Sequence, residues 1–170
     1  LTRVFDPEKI VVVIDHWVPA TSPAIAEMHQ LMREQVRELG IRHFYDVGVG
    51  IEHNVVPEKG HALPGELIVG SDSHSTTYGA LGALGVAVTR SDAAGIWASG
   101  MFWWEVPRSV RVVFEGRLPS GATGKDVALI LCALHPDDVL GSAVEFDGPG
   151  AATLSDDDRL TLANLTTEWG

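Results

Sequence analysis

Lys9-Ile10-Val11-Val12-Val13-Ile14-Asp15-His16 is a continuous apolar, β-branched run that stops on two polar residues. A strand buried on both faces has this texture, whereas a half-exposed strand alternates. The next segment decides the class. Ser22 can cap a helix, Pro23 suits its first turn, and Ile25, Met28, Leu31, Met32, Val36 and Leu39 share one face before Gly40 stops it, so the spacing predicts a helix from Ser22 to Leu39. Short strands are expected at His43 to Val47 and Gly65 to Gly70. Between and after them, the small apolar stretch Tyr78 to Val88 reads as a tightly packed helix, and Ser91 or Asp92 can cap another that Gly100 closes. Strand-helix-strand alternation of this kind argues for an α/β layer with a largely parallel sheet.

Beyond Val106 the texture changes. Ser109 to Gly116 partly alternates as a half-exposed strand does, a helix is expected from about Gly124 to Leu134, and a strand at Val144 to Phe146. Ser155-Asp156-Asp157-Asp158 looks like a cap and acidic first turn for a last helix through Leu160, Leu162 and Leu165. The expected domains are residues 1–105, bearing the site, and a second α/β portion over 106–170, with a boundary near Pro107.

The 170 residues, 45% hydrophobic, suffice for a buried core. No apolar run approaches the roughly 18 residues that span a bilayer, and the first residues carry neither a basic segment followed by an apolar one nor a cleavage site. Cytoplasmic residence is the default expectation. Cys132 is the sole cysteine, so no disulfide framework and no multi-cysteine metal site can be built from this chain alone; it reads as a core residue. A net charge of −11 with 12 scattered basic residues argues against a nucleic-acid surface but not against a small anionic substrate.

Three polar clusters come after apolar runs: Asp15-His16, Glu52-His53 and Asp72-Ser73-His74. Ligands of open α/β sheets bind beyond the carboxyl ends of strands, so such groups can converge on one cleft. A carboxylate beside an imidazole orients it and keeps it charged, which makes a proton donor near neutral pH, while the Ser73 hydroxyl can bind a substrate carboxylate or hydroxyl. Acid/base chemistry is favoured over nucleophilic catalysis, because Gly70-Ser71-Asp72-Ser73-His74 does not match the G-x-S-x-G elbow. Gly48-Val49-Gly50 is likewise a poor dinucleotide fingerprint. A metal site from His16, His53 and His74 with the aspartates is chemically possible without any supporting helix spacing. His29, His43, His61 and His135 read as surface residues.

Gly70-Ser71-Asp72-Ser73-His74-Ser75 closely resembles the G-[ST]-D-S-H-[ST] signature of the aconitase superfamily. Asp15-His16-Trp17-Val18-Pro19 is similar to its D-H-x-x-P, Gly50 to Gly60 to its G-I-x-H-x-x-x-P-E-x-G, and Asp158 to Glu168 to its D-R-x-T-x-x-N-M-x-x-E. The order and spacing resemble the large subunits of the isopropylmalate dehydratase and homoaconitase type, from about Ile10 to the last residue.

The resemblance implies a three-layer α/β/α fold of the family's iron-sulfur domain type, incomplete here. It also implies reversible dehydration and rehydration of a hydroxy di- or tricarboxylate through a cis-alkene. His16, paired with Asp15, would protonate the leaving hydroxyl, and His53 with Asp72 would form a second His-Asp pair at the hydroxyl or water. Ser73 and His74 would contact substrate; Asn164 and Glu168 would lie near the cluster and its bound oxygen. The family's 4Fe-4S cluster, its arginine clamps and its base serine belong to later parts of the subunit or to a separate small subunit, so no cluster is expected on this chain alone, which would be catalytically incomplete. Alternatives are a truncated or divergent non-catalytic relative and a divalent-metal lyase or hydrolase. Ala87 and Thr89 stand where relatives usually have glycine, and Trp17 where they tend to be smaller.

Overall fold

Residues 1–170 are described by a computed structural model, and their packing gathers into two units, each discontinuous in sequence. The first comprises Leu1–Ala62 and Thr89–Phe102, the second Leu63–Val88 and Trp103–Gly170. The boundary expected near Pro107 lies just beyond the last segment of the first unit. Every strand pairs in parallel, in three two-stranded sheets, and the class is α/β.

In the first unit β1 (Val11–Val13) pairs with β2 (His43–Tyr45). Parallel neighbours need a crossover, supplied here by α1 (Pro23–Glu38). Ser22 caps α1 by accepting from Ile25 N at 3.3 Å, Pro23 occupies the first turn where its missing N–H costs nothing, and Gly40 takes the positive φ of +70° that ends it. Ile10 and Val12 pack with Val36 and Ile41 as the buried core, each contributing roughly 1.5–3 kcal/mol. Met32, Leu39, Phe44 and Trp97 flank them.

The buried face of α1 is the expected one at Ile25, Met28, Met32, Val36 and Leu39, and differs at two positions. Leu31 is exposed, and the inward stripe runs through Ile25, His29, Met32 and Val36. His29, a surface residue by its sequence pattern, is 3% exposed, because a 3.6-residue repeat anchored on Met32 and Val36 places position 29, not 31, against the strands. A helix with no counterpart among the expected elements, α2 (Glu52–Glu58), buries Val55 and Val56. α3 (Arg90–Ser99) is capped by Thr89, which accepts from Asp92 N at 3.2 Å, rather than by Ser91 or Asp92; Gly100 closes it as expected.

The second unit begins with β3 (Leu67–Gly70) and β4 (Leu84–Ala87) in parallel register. The helix expected over Tyr78 to Val88 is absent. A 3-10 helix at Ser75–Leu81 ends on Gly82 in the left-handed region, and the chain then extends into β4. The glycines explain it: Gly85 passes so near this helix that a Cβ would stand 2.1 Å from the Ser75 carbonyl oxygen, a contact that only an extended, side-chain-free backbone makes. β5 (Ser109–Val113) and β6 (Ala143–Asp147) pair across α4 (Gly124–Leu134). The expected last helix is two, α5 (Asp156–Asn164) and α6 (Thr166–Trp169), broken at Leu165. Trp169, 6% exposed, donates its indole N–H to the His135 carbonyl at 2.7 Å. Cys132 on α4 is half-buried, while Leu129, Ile130 and Leu134 face outward.

Candidate active site

The run that forms β1 delivers Asp15 and His16 just past its last paired residue. The His16 Nδ1–H donates to Asp15 Oδ1 at 2.6 Å, which fixes the tautomer, since a carboxylate only accepts. The second oxygen of the same carboxylate accepts from Glu52 N at 2.6 Å. α2 has no side-chain cap of its own, so Asp15 satisfies one of its orphan N–H groups across 37 positions of sequence. His53 is the next residue on that helix, its side chain 15% exposed and its Nδ1 3.9 Å from Glu52 Oε1. The structure thus brings Asp15, His16 and the segment carrying His53 together in the first unit. The His16 side chain is largely open to solvent at 65%, whereas Asp15 is 9% exposed.

Asp72, Ser73, His74, Asn164 and Glu168 lie in the second unit. The turn after β3 is built around Ser75, which has no exposed surface: its Oγ–H donates to the Asp72 carbonyl at 2.8 Å, and a Cβ at Gly70 would meet that oxygen at 2.0 Å. Asp72 Oδ1 accepts from His74 N at 2.8 Å and lies 3.7 Å from its Nδ1. The imidazole of His74 then spans two partners, Ser73 Oγ at 3.0 Å from Nδ1 and Glu168 Oε1 at 3.2 Å from Nε2. With Nε2–H donating to the carboxylate, Nδ1 accepts from the Ser73 hydroxyl. A hydroxyl, an imidazole and a carboxylate in sequence can hold a proton at the serine and orient an oxygen-rich ligand.

Asn164 is placed by Thr77, whose Oγ accepts from Nδ2 at 2.9 Å, and Thr167 Oγ–H donates to the Ser73 carbonyl at 2.7 Å. Nothing in the sequence singles out these two threonines: Thr77 lies just past the Gly70–Ser75 signature, and Thr167 falls on a variable position of the Asp158–Glu168 motif. His53 and Asp72, expected as a pair, fall in different units. No group of three or more His, Cys, Asp or Glu is arranged to hold a metal ion. Cys132 offers one half-buried thiol on α4, so the residues of this chain do not make a ligand set for an iron-sulfur cluster.

Away from these residues, Arg33 makes two 2.8 Å bonds to Asp46, and that guanidinium holds the Asp46 carboxyl below the ordinary range while its own value is raised. Tyr45 O–H donates to His61 Nε2 at 2.6 Å; burial, aided by the neighbouring His43, pushes the His61 value down. His61, like His29, departs from the surface position expected of it and is half-buried.

Comparison with known proteins agrees with the motifs. The aconitase family (aconitate hydratase) matches residues 2–170. A mitochondrial homoaconitase of Cryptococcus neoformans var. neoformans serotype D is 46% identical over 170 residues, covering 99% of this chain and 23% of its own length. A 3-isopropylmalate dehydratase large subunit of Methanopyrus kandleri is 47% identical over 169 residues, with 99% and 40% covered. A homoaconitase of Debaryomyces hansenii is similar at 47%, with 25% of its length covered. The chain thus spans between 23% and 40% of the length of these relatives, and along all of that span it belongs to the aconitase family.

Proposed function

We propose that this chain is the part of a hydro-lyase that supplies proton-transfer and substrate-binding groups for moving a hydroxyl between neighbouring carbons of a hydroxy di- or tricarboxylate, of the 3-isopropylmalate or homocitrate type. The observation that carries the reading is the Asp15–His16 bond, 2.6 Å long, on a carboxylate already fixed by Glu52 N. An imidazole so held, its side chain 65% exposed, can in its protonated form give a proton to a departing hydroxyl. In this reading His53 and Asp72 attend the hydroxyl or water oxygen, Ser73 and His74 bind the substrate, and Asn164 and Glu168 order the surroundings of that oxygen.

A 4Fe-4S cluster, in this reading, is held by cysteines elsewhere in a longer protein and supplies Lewis-acid polarisation of the substrate oxygen. A separate small subunit is the expected macromolecular partner, by analogy with a relative named as a large subunit. No helix is long and apolar enough to cross a membrane.

The test uses the longer protein with its small subunit, reconstituted anaerobically with iron and sulfide, and follows alkene absorbance with isopropylmalate and homocitrate. Turnover of either, lost by about 100-fold or more in His16→Asn, supports the reading. A loaded protein that turns over neither, or a His16→Asn variant as fast as the parent, overturns it.

A further inference from the structure

α1 carries two polar side chains one turn apart that reach beyond the helix. His29 donates its Nε2–H to the carbonyl oxygen of His16 at 3.2 Å. Four residues on, Arg33 grips Asp46, whose carboxylate also accepts from Val47 N at 2.7 Å. Residues at i and i+4 share a face, so one face of α1 fastens the chain after β1 and after β2. Apart from Arg33, the helix neighbours of His29 on this face, Ile25 and Met32, are apolar, and a leucine or methionine would pack there without the cost of burying an imidazole. A buried imidazole in such a place is explained by the bond it makes.

That bond lands on a critical peptide. The His16 carbonyl leads into Trp17, the sole non-glycine residue with positive φ, at +51°. A bulky L-residue there costs roughly 1–2 kcal/mol and persists where surrounding groups hold it. Fixing this peptide fixes the backbone on the C-terminal side of the His16 Cα, and with it the direction in which the exposed imidazole leaves the chain.

We propose that His29 is a positioning residue: its hydrogen bond to the His16 carbonyl holds the Trp17 turn and aims the His16 imidazole. The inference rests on the proton-donor reading of His16, but its effect on the ring is measurable without turnover.

The decisive experiment compares His29→Phe, which keeps a ring and loses the donor, with His29→Gln, whose amide can donate from nearly the same place. In the 15N-labelled 170-residue chain, imidazole spectra report the ratio of the Nδ1–H to the Nε2–H tautomer at His16. The expected result is a ratio reduced about tenfold in His29→Phe, as for loss of one charge-assisted bond, and held within about twofold in His29→Gln. In the reconstituted longer protein the same pair should show kcat lowered about tenfold with KM nearly unchanged, and recovery in the glutamine variant. Should His29→Phe fail to fold, His29→Met replaces it as the donorless variant. Equal losses in the donor and donorless variants, or an unchanged tautomer ratio in a folded donorless variant, overturn the proposal. If the tautomer ratio responds as expected while His16→Asn leaves turnover intact, the positioning stands and the proton-donor reading fails.

Discussion

Asp15 serves two groups with one carboxylate, the imidazole beside it and the first turn of α2. Asp15→Asn removes the charge that holds His16 as a donor and weakens the cap, so turnover of the longer protein should fall about 100-fold, while stability falls by about 1 kcal/mol. Steady-state assay and urea unfolding separate the two losses. His61 offers a pH test. Its folded value is depressed by burial, and then by His43, so the neutral form is favoured in the fold. The stability it contributes is full above the ordinary histidine range and is lost as pH falls from about 6.5 through the depressed value. His61→Gln should therefore flatten the stability profile between about pH 7 and 5, read by thermal melts. Single residues are unevenly legible in the sequence. Asp15 and His16 announce themselves by adjacency after an apolar run, but the bond from His74 to Glu168 joins positions 94 apart, and His29 hides beside Met28, where hydropathy alone gives the buried place to the methionine.

Caps decide where the elements begin. At the start of α4 the Thr123 N–H and hydroxyl both donate to the Asp126 carboxylate, and at the start of α5 Ser155 and Asp158 form a reciprocal box. Asp158 also accepts from Gly124 N at 2.7 Å, tying the two helix starts together. Backbone and side-chain bonds from Thr123 lower Asp126, and the Ser155 hydroxyl lowers Asp158 first, with the Gly124 N–H second. A depressed carboxyl contributes stability that is full above its unfolded value and is lost as pH falls through the folded one, so acid below about pH 4 should loosen these starts. In Asp126→Asn the melting temperature near neutral pH should drop and its acid dependence weaken, measured by circular dichroism. Helices with such signals, α1 and α4, are readable nearly to their ends. The stretch after the signature is not, because small apolar residues suit a packed helix and a strand alike, and only the close passage of Gly85 over Ser75 decides between them.

For the whole chain, four spaced motifs make the family legible, and matching along residues 2–170 agrees. The substrate is another matter: identities of 46% to a homoaconitase and 47% to an isopropylmalate dehydratase give neither acid preference. One thiol, half-buried on α4, sets a clear expectation for metal content. Cys132→Ala should leave the iron bound per reconstituted longer protein within about 10% of the parent, since a cluster takes several thiolates; colorimetric iron analysis checks it. The signature itself divides its hydroxyls by depth, with Ser73 open and Ser75 sealed between Gly70 and Gly85. A hydroxyl with no exposed surface meets a kinase or an acylating reagent only when β3 and β4 part, so labelling at Ser75 would keep time on local opening rather than mark the folded protein.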